Sequence, residues 1–408
     1  MENRYRAAVI ATGRMSRAHA NGFKAIPNVD LVACADILPE AVKGFGEQYG
    51  IAEEHRYTDY REMMDKERPD LVAIVSLHQQ HAEMTITTAA FKPKGIICEK
   101  PIAMNLGEAN AMIRTCQDAG VVLVVGHQRR YNAQYQAAYR ALKQGDIGKL
   151  TFIETHGHPF SSLPVDGTHT IDLARWYNDD LTVSWVFAQT DFREHRLGWG
   201  GEVENATSLM YCFENGVRGW HTCGAIPIGS EPVALWPDVS GPNYHKFILH
   251  GTKGEIQIDG DAPTEGIPWV RLVHGGEVVS IPVETDRPKT DTAHARLIRD
   301  LITTRWGFAS RQAALFASDG FAYAHHHRAG QCGKVAEEVP ELDIIELAGR
   351  RPQGALRRLL TRNGRLVVVG GEPTGTEWLG MGRMLQATLT NPFVPQHLHG
   401  LVATMPKE

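Results

Sequence analysis

The feature that most constrains this chain is an alternation, over residues 6–126, of short apolar runs with longer amphipathic stretches. The runs lie at 6–11, 29–36, 71–76, 95–98 and 121–126, and the stretches between them at 15–26, 39–49, 81–91 and 106–119 end near Pro or Gly. Strand-length runs alternating with helix-length amphipathic segments are the pattern of a parallel sheet with crossover helices. A doubly wound α/β domain is therefore expected over residues 1–126.

From about residue 150 the pattern changes to strand-like segments at 151–156, 182–190, 207–213, 218–222, 246–251 and 255–258. Turn signals at Asn215-Gly216, 251–254 and Gly275-Gly276 separate them, which predicts an antiparallel or mixed sheet. Helical stretches flank these strands at 134–143, 169–177, 294–305 and 312–327, so a second, α+β domain is expected over 127–335. The remainder, 336–408, holds a βαβ-like piece with strands at 343–346 and 365–369 around a helix at 354–361. The total of 408 residues agrees with two or three domains of about 150 residues each.

Charge and cysteine usage exclude several classes of function. With 42 Lys+Arg against 47 Asp+Glu, the chain lacks the broad basic surface that nucleic acid or an anionic membrane attracts. No apolar run approaches the roughly 20 residues that cross a bilayer, and the opening MENRYRAAVIATG passes straight into a strand without a secretory apolar region. A soluble, cytoplasmic protein is expected, with no nucleic-acid or membrane partner. The six cysteines form no C-x-x-C pair and read as reduced core residues, so no metal site is expected. The run His325-His326-His327 reads as surface, because consecutive helical residues point in different directions.

The first strand runs into Ala11-Thr12-Gly13-Arg14-Met15-Ser16, in the place of a G-x-G-x-x-G/A fingerprint with only the middle glycine kept. Gly13 is where backbone approaches a pyrophosphate, and the helix beginning near Met15 offers free N–H groups and a favourable dipole. Asp36 ends the second strand 23 positions after Gly13, near the spacing at which an acid accepts hydrogen bonds from the adenosine ribose. Ile37 and Leu38 follow it in place of Arg or Ser, so NAD is favoured over NADP; a turn cap before Pro39 is the other reading of Asp36. Glu99-Lys100-Pro101 closes the fourth of these runs at the carboxyl edge of the sheet, where open α/β sheets bind ligands. A lysine there can stabilise a developing alkoxide, and Pro101 can hold a cis bond. On its residues alone the pair also reads as a solvated strand end, and His169 as a structural histidine.

The series of motifs resembles the glucose-fructose oxidoreductase/inositol dehydrogenase family, Gfo/Idh/MocA, over about residues 5–335. The resemblance rests on the Gly13 loop, Asp36, Ser76-Leu77-His78-Gln79-Gln80-His81, Glu99-Lys100-Pro101 and Gly126-His127-Gln128-Arg129-Arg130-Tyr131. It continues through 145–150 (GDIGKL), Gly167-Thr168-His169-Thr170-Ile171-Asp172 and 251–254 (GTKG), all in the family's order. It implies a Rossmann domain followed by a large open-faced, mainly antiparallel sheet that packs against a second subunit as a dimer or tetramer. It implies NAD along Ala11, Gly13, Arg14, Met15, Asp36, Ser76, Leu77, His81, Glu99 and Lys100. It implies catalysis by Lys100 and His169 on a sugar or cyclitol hydroxyl, with Asp172, three residues on, orienting the ring or holding substrate. Gln128, Arg129, His156, His158 and Asp166 stand as further substrate contacts.

Two departures qualify this picture. Ala11 replaces the first glycine, and Val165 stands where many family dehydrogenases carry the acid of D-x-x-x-H, with Asp166 displaced by one. The tail, about residues 343–408, resembles part of the cofactor domain of medium-chain zinc-type alcohol dehydrogenases, without that family's glycine fingerprint, and reads as an appended fragment. The leading expectation is an NAD-dependent oxidoreductase acting on a secondary alcohol of a sugar or cyclitol. The alternatives are a glycoside hydrolase working through transient oxidation by NAD, and a non-catalytic cofactor-binding protein.

Overall fold

The computed structural model describes residues 4–158, 161–192, 196–198, 201–228, 231–234, 245–262, 264–286 and 288–303, with three strands nearer the C-terminus. Two compact units divide the chain, residues 1–323 and 324–408.

Six strands build the first sheet: β1 (Tyr5–Ile10), β2 (Val29–Ala35), β3 (Arg56–Tyr57), β4 (Leu71–Ile74), β5 (Gly95–Cys98) and β6 (Val122–Val125). Their spatial order is β3-β2-β1-β4-β5-β6, all parallel. The order reverses between β1 and β4, which opens a crevice at the carboxyl edge of the sheet. Helices α1 (Ser16–Lys24), α2 (Pro39–Tyr49), α3 (Tyr60–Glu67), α4 (His81–Ala90) and α5 (Leu106–Ala119) connect the strands. The predicted elements are all present, with ends shifted by at most two residues. The two-residue β3 and the charged α3, capped by Asp59 through Arg61 N at 2.9 Å, carry too little apolar pattern to be read from sequence.

After α6 (Ala133–Gln144) comes the central strand of the second sheet, β7 (Leu150–His156), and then α7 (Thr168–Tyr177). Strands β8 (Val183–Asp191), β9 (Arg196–Gly198), β10 (Gly201–Val203), β11 (Ala206–Phe213), β12 (Arg218–Ile228) and β13 (Glu231–Ala234) follow. Then come β14 (Lys246–Gly251), β15 (Glu255–Ile258), β16 (Val270–His274) and β17 (Glu277–Ser280). The main path runs β17-β16-β15-β14-β7-β12-β11-β8, with only β7 and β12 parallel to each other, and β13 pairs with β12. This is the expected mainly antiparallel sheet; β16 and β17 add a hairpin around the Gly275-Gly276 turn.

One face of this sheet is packed. Ile153, Thr155, Phe247, Leu249, Leu209, Tyr211 and Phe213 alternate inward and meet Ile171, Leu173 and Tyr177 of α7. The opposite face leaves Trp185 and Met210 partly exposed. Helix α8 (Ala293–Thr303), expected beside the second sheet, lies instead on α1 of the first domain. Its apolar stripe explains this: Leu297 and Ile298 are buried in the first domain's core, and a Cβ on Gly22 would sit 2.8 Å from Ile298.

In the second unit, β18 (Ile344–Glu346), β19 (Arg365–Val369) and β20 (His397–Leu401) form a parallel sheet in that order. The third strand was not anticipated. The helices expected at 312–327 and 354–361 and the run His325–His327 lie outside the described residues. Among the described residues no helix is long and apolar enough to cross a membrane, and Cys34, Cys98, Cys116, Cys212 and Cys223 are free and buried.

Gly224 has φ +84°, and a Cβ there would meet Asn205 O at 2.0 Å. Gly224→Ala therefore combines a left-handed backbone with a main-chain clash and is expected to cost at least about 2 kcal/mol in urea unfolding. An unchanged midpoint would contradict that geometry.

Candidate active site

The loop after β1 is shaped for close approach. Ala11 takes φ +68°, the conformation for which the fingerprint's first glycine is suited, so the alanine keeps the turn under strain. A Cβ on Gly13 would have nothing within 4 Å, so its exposed face looks onto open space beside the start of α1, where no side chain caps the helix. Arg14 is exposed and Met15 half-buried at that helix start. Asp36 accepts from Thr12 N at 2.7 Å, Thr12 Oγ1 at 3.2 Å and Leu38 N at 3.0 Å. It therefore fixes the loop after β1 and caps the turn before Pro39, as the second reading of its sequence position has it. Beyond the same sheet edge, Ile37 (75% exposed), Leu38 (52%) and Leu77 (57%) present bare apolar side chains. An open glycine face, an acid at the end of β2 and exposed aliphatic groups fit a dinucleotide's pyrophosphate, ribose and base.

The Glu99-Lys100-Pro101 turn leaves β5 through a cis Lys100–Pro101 bond. His81, read as a cofactor contact, is buried with its ring nitrogens against Pro101 O at 2.8 Å and Ser76 O at 3.1 Å. Its ring ties the β4 edge to the lysine's turn, while Ser76 and Leu77 lie nearer the surface. Glu99 is buried; desolvation raises its pKa, but the His19 hydrogen bond and the charge of Lys100 outweigh that and hold it at about 2.

Lys100 Nζ donates to Val165 O at 2.7 Å. Val165 belongs to a π-helical turn, Leu163–Gly167, closed by Gly167 N to Ser162 O at 3.0 Å and leading into α7. The position from which the family acid is missing thus supplies a main-chain oxygen to the lysine. Burial lowers the Lys100 pKa, opposed in part by Asp166 and Glu99. Asp166, displaced by one in sequence, is still close enough for its charge to act on Lys100.

His169 lies one residue into α7, 1% exposed, with neither ring nitrogen hydrogen-bonded. Its ring stands edge-on between His127, at 5.5 Å between centroids, and His245, at 5.8 Å. Burial first, then Arg129 and Lys100, push its pKa well below the ordinary imidazole value. Burial likewise lowers His127 to about 4 and His221 to about 3, and pushes His245 well down.

The other expected site residues divide. Asp172 is in a fork with Arg130, Oδ2 to Nε and Oδ1 to Nη2 at 2.7 Å each, and Asp180 binds the same guanidinium. Its carboxylate is thus committed to a buried ion pair. Arg129 is clamped on Asp261, which also accepts from Tyr135 at 2.8 Å. Gln128 stands beside it in the turn after β6. Strand alternation turns His156 to the face opposite Thr155 and His221, where it contacts Thr222 Oγ1 at 3.0 Å and Glu154 Oε1 at 2.9 Å. His158 is half-buried beyond that strand and receives Ser161 and Gly224 N–H groups on its carbonyl. On the His169 side stand instead Thr155 and His221, 2.9 Å apart, and His245, bonded to Thr170 at 2.6 Å. Period-2 alternation from Ile153 and Thr155 could have identified His221; nothing local marks His245. His19, Glu99 and His294 also bring ligand atoms within 4.8 Å of one another, a grouping that sequence spacing does not reveal.

Among the described residues burial holds seven imidazoles below their ordinary pKa: His81 and His156, and furthest of all His127, His169, His221, His245 and His294. The unfolded chain then binds more protons than the folded one below about pH 6.5, so stability falls on acidification. Each of the last five is expected to remove about 1 kcal/mol by about pH 5.5. Urea midpoints measured from about pH 7 to about pH 5.5 check this, and a flat profile would contradict it.

Residues 5–127 match the model of an oxidoreductase family with an NAD-binding Rossmann fold, Gfo/Idh/MocA. The chain is 28% identical over 230 residues to a myo-inositol 2-dehydrogenase of Thermotoga maritima, covering 52% of this chain and 66% of that protein. It is 31% identical over 235 residues to a D-apiose dehydrogenase of Paraburkholderia graminis, covering 54% of this chain and 60% of that protein. The matched span is thus just under two thirds of these relatives' length. A solved levoglucosan dehydrogenase in complex with NADH shares the fold at TM-score 0.62 and 19% identity, over 78% of this chain and 96% of that one. With the switch-point crevice and the glycine loop, these matches show over residues 5–127 the NAD-binding Rossmann fold described by the Gfo/Idh/MocA oxidoreductase family model.

Proposed function

We propose that the protein is an NAD-dependent oxidoreductase that moves hydride between a secondary alcohol of a sugar or cyclitol and nicotinamide. The observation that carries this reading is the lodging of Lys100 Nζ on Val165 O, which sets an ammonium at the foot of the His169 helix and at the edge of the Rossmann crevice. NAD, when bound there, supplies the hydride acceptor. Gly13 and the start of α1 would receive its pyrophosphate, Asp36 its ribose, and Ile37, Leu38 and Leu77 the apolar face of its adenine.

In this reading Lys100 donates a hydrogen bond to the substrate oxygen, and its charge steadies the alkoxide character that develops as the carbinol carbon gives up hydride. The hydroxyl proton passes to His169, whose buried ring is neutral at physiological pH and so has a lone pair free to receive it. Arg129 and Asp166 add charge around the oxygen, and Arg130 and Asp172 hold the surrounding frame. Polyol substrates accord with the relatives, an inositol and an apiose dehydrogenase. The bare face of the large sheet, with Trp185 38% and Met210 40% exposed, would seat a second copy of the chain.

NADH formation over a panel of inositols and sugars tests the proposal. Lys100→Met and His169→Ala are each expected to lower kcat/KM by about 10²–10⁴-fold while NAD still binds. Full turnover by Lys100→Met would refute the assignment, and release of free sugar without net NADH would favour a hydrolase.

A further inference from the structure

Glu99, His19 and His294 are buried beside the site and take no part in the chemistry above. Glu99 Oε1 lies 2.8 Å from His19 Nε2, and Oε2 accepts from Lys100 N at 3.2 Å. Gly126 makes the fit possible, because a Cβ there would stand 3.0 Å from Oε1. An ionised carboxylate only accepts hydrogen bonds, so the proton in the first contact resides on His19 Nε2. The His294 ring meets His19 edge-on, 4.8 Å between centroids and 74° between planes. Three elements converge here: α1, which follows the glycine loop; the end of β5, which carries Lys100; and α8, which returns from the second sheet.

The spacing of these groups also suits a metal ion. A ligating imidazole, however, ordinarily gives its other N–H a partner, and ligation through Nε2 would leave His19 Nδ1–H buried without one. Donation of Nε2–H to Glu99 leaves only an acceptor lone pair at Nδ1, so the cluster is better read as a hydrogen-bonded brace.

We propose that His19 is a positioning residue for Lys100: its hydrogen bond to Glu99 fixes the Glu99-Lys100-Pro101 turn and so the aim of the lysine, while His294 braces His19 from α8. The inference rests on the role given to Lys100 above. The groups that act on Lys100 are Glu99 beside it, Asp166 and Val165 O from the turn before α7, Arg129 from the turn after β6, and the rings of His127, His169 and His245.

The test compares the full-length protein with His19→Ala, His19→Gln and the isosteric Glu99→Gln, reading kcat and KM separately and the pH dependence of kcat. Trace acetylation of Lys100, followed by mass spectrometry across pH, gives a readout that needs no turnover. His19→Ala is expected to lower kcat by about 10–100-fold, with KM within about threefold, and to displace the Lys100 acetylation profile. His19→Gln, whose amide N–H can reach Glu99, is expected to recover most of both; Glu99→Gln should resemble His19→Ala. An unchanged kcat and acetylation profile in His19→Ala, with only a lower melting temperature, would overturn the proposal, as would failure of His19→Gln to rescue. Should His19→Ala not fold, the glutamine variants decide: a Glu99→Gln profile identical to the parent overturns it. A parent that oxidises nothing in the panel would defeat the functional reading alone, since the acetylation profiles still test the positioning.

Discussion

The site depends on burying cationic and imidazole groups where water cannot solvate them. Lys100 has one specific anchor, the Val165 carbonyl, and partial compensation from Asp166 and Glu99. His169 has no hydrogen-bonded partner and sits between two further imidazoles. Desolvation disfavours the charged form of each group, which lowers the lysine's hold on its proton and keeps the imidazole neutral. A donor for an oxygen and an acceptor for a proton thus arise from the same enclosure.

Such an enclosure is expensive unless the surrounding charges are paired. Arg130 lies between Asp172 and Asp180, and Arg129 is clamped on Asp261 with Tyr135 completing the carboxylate's contacts. Removing one partner of a buried pair of this kind commonly costs about 3–5 kcal/mol, because the other charge is left unsolvated. These pairs join the turn after β6 to α7 and to the loop after β15, so the frame around His169 is built from both sheets. Asp172 belongs to that frame more than to the reacting atoms.

Much of this was legible in the sequence. The parallel order of the first domain follows from its alternating pattern, and Asp36 and the Glu99-Lys100-Pro101 turn lie where strand ends put them. The displacement of Asp166 was legible too, but its consequence was not: only the π turn at 163–167 shows that a main-chain oxygen meets the lysine. Adjacent residues of a strand face opposite sides, so Thr155 and its partner His221 share a face that the neighbouring His156 does not. His245 and His294 come from segments far along the chain, and no local pattern marks a residue whose importance is set by tertiary approach. The path of α8 depends likewise on Gly22 leaving room on α1.

The central claim is that His169 is held neutral by burial beside Lys100, ready to take a proton. Nitrogen-15 spectra of histidine-labelled protein, titrated from about pH 8 to about pH 5.5 where the fold survives, test it directly. The account predicts that the His169 ring nitrogens keep the two separate shifts of a neutral tautomer throughout. Protonation of His169 near the ordinary imidazole value of about 6.5 would contradict it.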